Sequence, residues 1–154
     1  MLGLAGSVTA LLAGAAIAGS DTRPAGIRFA ADSPAVRVAQ QIARAHWDVD
    51  PCRGRIAISW TPRERHVNAI STWSTRSRDP YGHPAANRDC TIQLNPHARF
   101  DWPKLCTVVV HEYGHLAGHA HDPRPGRLMS AYYVDPMRSC TTGVKGRVVR
   151  SMTS

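Results

Sequence analysis

The sequence of 154 residues predicts a single α+β domain: a helix, a few short strands, then a second helix that carries a cluster of histidines. Two observations predict it. Apolar residues recur at helical spacing over 34–47 and again from Trp102 into HEYGHLAGHAHD at 111–122. Between them, three short runs at 54–60, 66–73 and 90–95 have the alternation and β-branched content of strands.

The first helix opens on Ser33-Pro34, a capping serine followed by proline at the first helical position. Val36, Ala39, Ile42, Ala43, His46 and Trp47 then share one face. Asp50-Pro51 is a turn, GRIAISW (54–60) the first strand and HVNAISTW (66–73) the second. The segment 74–89, STRSRDPYGHPAANRD, is rich in turn formers and reads as a long surface loop. CTIQLN (90–95) is the third strand. Asp101 caps a helix that runs to Gly118, followed by a Pro- and Gly-rich loop, LMSAYY and a polar tail.

Upstream of the domain, residues 2–19 carry no charge, and Ala16-Ile17-Ala18 has the small-x-small pattern of a signal-peptidase site. Residues 1–18 are expected to be a signal peptide or, if retained, an N-terminal membrane anchor; the absence of a basic residue before the apolar run favours the anchor, its weak hydrophobicity the cleaved leader. Residues 19–33 form a linker and 34–154 the domain. Either fate of the leader puts the domain outside the cytoplasm, secreted or on the extracellular face of the membrane.

Cys52, Cys90, Cys106 and Cys140 fit that compartment. They are an even set without CxxC spacing and read as two disulfides with three pairings open. Cys52–Cys90 and Cys106–Cys140 are favoured, the first because both lie at strand starts, the second because it ties the histidine helix to the tail. The net charge of +8 comes mostly from arginines scattered along the chain. No basic stripe or recognised module gathers them, so no nucleic-acid partner is expected.

The chemistry lies in 111–122. His111 and His115, four apart on a helix, put two imidazoles on one face, one turn apart. Two neutral imidazoles so placed can hold one Zn²⁺, and Glu112 beside them is suited to take a proton from a metal-bound water. The third ligand is either His119, if the helix continues, or His121, if Gly118 ends it. Glycine at 118 favours the turn and His121. Three ligands leave a fourth position open, the mark of a catalytic rather than a structural zinc.

HEYGHLAGHAH resembles the HExxHxxGxxH zinc signature of the metzincin metalloendopeptidases, most closely a small secreted matrixin-like bacterial type. The resemblance implies a zincin-like fold, with a small mixed sheet and a cleft between an upper part and a small lower subdomain. It implies one catalytic zinc on His111, His115 and His121, Glu112 as general base and Gly118 as the turn. It also implies a methionine turn at Met129 in LMSAYY, a hydrophobic floor for the ligands. Tyr132 or Tyr133 would contact an oxyanion or substrate, with Ala131 where some members have a tyrosine. An edge strand of the family pairs with bound peptide, and CTIQLN is its expected counterpart.

The expected partner is a protein or peptide substrate and the expected state a monomer. The expected pocket walls are the 74–89 loop and residues 122–140. Calcium dependence is left open, with nothing in the sequence to support it, and no spacing supports a second metal group from His66, His83, His97, Asp79 and Asp89. Two other readings remain: a metal hydrolase of cell-wall peptide crosslinks, and a non-catalytic exported binding module that keeps zinc as a staple.

Overall fold

The computed structural model describes residues 29–75 and 83–142. The expected leader, most of the linker, the middle of the 74–89 loop and the end of the tail lie outside the described residues. The domain is α+β: a small three-stranded mixed sheet with helices packed against it.

Helix α1 spans Pro34–Trp47. The Ser33 hydroxyl caps it by accepting the Val36 N–H at 3.3 Å, satisfying a donor that has no partner within the first turn. Ala35, Val36, Ala39 and Ala43 are its buried face. It ends where Asp48 takes a left-handed conformation, φ 50°, and its N–H donates to the Arg44 carbonyl.

Strands β1 (Ile56–Trp60), β2 (Ala69–Ser74) and β3 (Arg88–Leu94) lie in the order β1-β3-β2. β3 is parallel to β1 and antiparallel to β2. Ile58 and Ser71 both pair with Ile92, so the three side chains share one line across the helix-facing side. On β3, Cys90, Ile92 and Leu94 alternate inward. β3 is therefore the central strand, with both edges occupied. The expectation that CTIQLN forms the free edge is corrected; β2 is the outer strand on that side. The sequence alone does not reveal this, because strand order depends on which connections cross over.

Three boundaries also differ from the sequence reading. β1 starts at Ile56 rather than Gly54, because Cys52, Arg53 and Gly54 all have positive φ and curl the chain into a short 3₁₀ segment, Pro51–Gly54. β2 starts at Ala69 rather than His66. The segment before it is held in a turn by Asn95, a fully buried side chain whose amide donates to the carbonyls of Glu64 and Val67 at 2.9 and 2.7 Å. Arg88 and Asp89, placed in the loop from sequence, extend β3 and face Ser74 across a bulge.

Helix α2, Trp102–Leu116, packs against α1, β2 and β3. Asp101 caps it, accepting the Lys104 N–H at 2.9 Å. Its centre, Leu105 to Val110, is buried throughout. The run Thr107-Val108-Val109-Val110 is β-branched and a poor helix former, so burial rather than propensity holds this helix. Leu105, Leu116, Ile92 and Leu94 are fully buried, each contributing roughly 1.5–3 kcal/mol by leaving water.

Two disulfides complete the frame: Cys52–Cys90 joins the curl before β1 to β3, and Cys106–Cys140 joins α2 to a short helix α3, Arg138–Thr142. The sequence reading had a polar tail there; the helix forms where Cys140 is pinned against α2. Two disulfides suggest an extracellular protein. No helix among the described residues is long and apolar enough to cross a membrane.

Candidate metal centre

The end of α2 builds the site. After Leu116 the helix closes in a Schellman arrangement: the N–H of Gly118 donates to the His115 carbonyl at 3.0 Å and that of His119 to the Gly114 carbonyl at 2.9 Å. Gly118 sits at φ 99°, a conformation that favours glycine. The chain then doubles back and brings His121 beneath His111 and His115. The Nε2 atom of His115 lies 3.1 Å from that of His111 and 3.0 Å from that of His121. His111, His115 and His121 form a group that can hold a metal ion.

The hydrogen bonds behind the rings decide how the group can act. His111 Nδ1 lies 2.6 Å from the Leu128 carbonyl, and His115 Nδ1 lies 2.8 Å from the His119 carbonyl. A carbonyl can only accept, so each Nδ1 carries the proton and each Nε2 a lone pair. Burial lowers the pKa of both rings, that of His115 to about 4, and keeps them neutral. The His111–His115 contact then has no hydrogen to share: two lone pairs face each other across 3.1 Å. A cation between them removes that repulsion. Nitrogens bound tetrahedrally to one ion at about 2.0–2.1 Å would lie about 3.3 Å apart, close to the observed spacing. The donor set fits a metal of the zinc type.

His119 is outside this group. Its carbonyl orients His115, while its exposed ring stacks on Trp47 with centroids 4.3 Å apart. Trp47 also donates its indole N–H to the Val110 carbonyl at 2.8 Å, fixing α1 to α2 one residue before His111.

Residues 122–130 form a closed loop under the site. Asp122 and Ser130 make a parallel bridge, with the Asp122 N–H on the Met129 carbonyl at 2.8 Å. The Asp122 carboxylate accepts from the Arg124 backbone and guanidinium, and these bonds hold its pKa down to about 2. This closure turns the Leu128 carbonyl toward His111 and buries Met129 against α2. A β-carbon at Gly114 would lie 2.6 Å from Met129 Sδ and 2.6 Å from Trp47 Cζ2. Glycine between the two helical histidines lets both side chains close on the helix.

Glu112 is 6% exposed. The Ser71 hydroxyl on β2 donates to its Oε2 at 2.9 Å. Burial raises its pKa to about 7, against the opposing hydrogen bonds from Ser71. With His111 and His121 it lines a cleft of about 480 Å³. Residues 66–70 form one wall; Leu128 and residues 130–137, including Tyr132 and Tyr133, form the other. Tyr132 is 80% exposed, whereas Tyr133 is half-buried beneath the Lys104 ammonium, 5.6 Å from its ring centroid. None of the described residues of 74–89 lines this cleft, and the middle of that segment lies outside the described residues. The described residues of that segment border a separate, larger hollow of about 1600 Å³, beside Cys52 and Arg55, which contains none of the three histidines. Among the described residues no second metal-ligating group forms.

Sequence reasoning missed Ser71, Trp47 and Gly114 as parts of the site. Two had signals. Gly114 sits mid-helix, where glycine costs about 1 kcal/mol and so implies a packing reason. Ser71 is a polar residue at an inward position of a strand. Trp47 had only its place on an apolar helix face. No protein-family model matches the chain, and no curated protein matches it. The class of site is thus defined by its own residues: a three-histidine group with a buried carboxylate at the side of a cleft.

Proposed function

We propose that the protein is an exported zinc-dependent endopeptidase of metzincin type. The observation that carries this reading is the convergence of three imidazole nitrogens, 3.0 and 3.1 Å apart, beside a buried glutamate in an open cleft. The resemblance of HEYGHLAGHAH to the metzincin signature supports it, as do the glycine turn and the buried methionine packed against Gly114.

His111, His115 and His121 would hold zinc, which supplies Lewis acidity toward the scissile carbonyl and a nucleophile at neutral pH. The Leu128 and His119 carbonyls keep two of the rings in the tautomer that presents Nε2. Glu112 accepts the proton of the attacking water and returns it to the departing amine. Buried at the side of the cleft and held by Ser71, the carboxyl is placed for both transfers. β2 is the outer strand of the sheet among the described residues, where an extended peptide would add, and the wall around Leu128, Tyr133 and Met137 receives a side chain.

The test compares wild type with Glu112→Ala, each oxidised and loaded with one equivalent of zinc, on an unfolded protein and on purified cell-wall peptide. Cleavage of the protein by wild type, with a loss of several orders of magnitude in the variant at equal zinc content, is expected. Cleavage of wall peptide alone would redirect the substrate. Zinc bound by both with no cleavage of either would leave a structural metal and sink the enzyme reading.

A further inference from the structure

We propose that Ser71 is a positioning residue for Glu112: its hydroxyl grips one carboxylate oxygen, Oε2, and leaves Oε1 to meet the water that the base deprotonates. The proposal rests on the reading of Glu112 as general base. It starts from the 2.9 Å hydrogen bond between Ser71 Oγ and Oε2; the Ser71 main chain also bonds the carboxylate, a contact that Ser71→Ala keeps, so the variant isolates the hydroxyl. Ser71 points to the helix-facing side of the sheet, in register with Ile92 and on the same line as Ile58. A hydroxyl turned into such an apolar layer is costly unless bonded, and an alanine there would fill nearly the same space. What serine adds at this place is the bond to Glu112.

The bond has a chemical direction. The hydroxyl has one hydrogen and gives it to Oε2, which becomes the poorer acceptor of the two oxygens. The water's proton then goes to Oε1 and later leaves Oε1 for the amine nitrogen, while Ser71 keeps its own proton throughout. The bond also has a structural direction. Glutamate has three rotatable side-chain bonds, and at 6% exposure solvent does little to hold it. Its anchor is on β2, next to Ala69 and Ile70 in the cleft wall. The strand that borders the substrate therefore also sets the base.

The chain contains two glutamates, Glu64 and Glu112, and the Glu64 side chain is 79% exposed. Protein labelled with ¹³C-carboxyl glutamate thus gives two signals, one an internal reference. In zinc-loaded and zinc-free protein alike, Ser71→Ala should move the Glu112 signal and leave that of Glu64, and Ser71→Thr should restore it. On an unfolded protein substrate, Ser71→Ala should lower kcat by roughly ten- to a hundredfold, with KM and zinc stoichiometry unchanged. Ser71→Thr should recover most of the loss. An unmoved Glu112 signal in Ser71→Ala, or an unchanged kcat, overturns the proposal. If wild type cleaves nothing, the peptidase reading fails separately, and the two carboxyl signals still decide whether Ser71 holds the carboxylate.

Discussion

The sulfur of Met129 sits 2.6 Å from the point where a side chain at Gly114 would begin. The loop after the third histidine and the helix bearing the first two are therefore in contact at the one helical position without a β-carbon. Gly114→Ala should destabilise the metal-free protein by about 1–3 kcal/mol despite alanine's better helix propensity. Zinc affinity should fall with it. Gly114→Ala with Met129→Ala should recover only part, because Trp47 Cζ2 is equally close on the other side. Thermal unfolding in chelator and a zinc competition titration read both effects; a stabilised Gly114→Ala would contradict the packing.

Glu112 and the histidines pull the stability of the metal-free protein in opposite directions with pH. The folded-state pKa of Glu112 is raised to about 7, so its stabilising contribution is complete below its ordinary value of about 4.5 and is lost as pH rises through 7. His111 and His115 are lowered, so their contribution is present above about 6.5 and lost as pH falls toward their folded values. Glu112→Gln removes the first effect and keeps the second. In chelator, the advantage of Glu112→Gln over wild type should widen by as much as about 3 kcal/mol between pH 4.5 and pH above 7. Denaturant unfolding at several pH values measures it, and a constant difference would mean the carboxyl is not perturbed.

Of the two histidines after the helix, only His121 brings its ring to the other Nε2 atoms. His121→Ala should weaken zinc binding by at least a hundredfold, the upper range for losing even an outer-shell partner. His119→Ala should bind zinc within a few fold of wild type, since its carbonyl survives. It should lose only the stack on Trp47, about 0.5–1.5 kcal/mol. Competition against a chromophoric chelator distinguishes them, and equal losses would show the ligand assignment wrong.

The disulfides close loops of 38 and 34 residues. Replacing either pair with serine should cost about 2–4 kcal/mol. Cys106 lies on α2 one turn and a residue before His111, so the loss of Cys106–Cys140 should also reduce zinc affinity, whereas the loss of Cys52–Cys90 should act on stability alone. Unfolding midpoints and zinc titrations of the two double variants test this, and equal effects on zinc would refute it.

What was legible in the sequence was what local chemistry dictates. Ser33-Pro34 and Asp101 mark the starts of both main helices, and helical spacing brings His111 and His115 to one face. Gly118, at the end of an apolar pattern, marks where the chain turns. Strand order was not legible: nothing in CTIQLN says that β1 arrives parallel on one side and β2 antiparallel on the other. Ser71, Leu128 and His119 join the site through contacts 41, 17 and 4 residues apart. The long ones depend on how elements stack, and two of the three use a backbone carbonyl, which no residue type announces. α3 was invisible for a similar reason, since a five-residue helix has little propensity of its own.

The proton on each of the two helical imidazoles answers to main-chain oxygen, at residues 128 and 119. Substituting the side chain of Leu128 or of His119 leaves its acceptor in place. Drift in composition is therefore tolerated there, while a single deletion between Asp122 and Leu128 would carry the Leu128 oxygen out of reach and release the His111 ring to its other tautomer. The centre is guarded by the length and closure of a loop, so descendants of this sequence should vary in the letters between 122 and 128 long before they vary in their number.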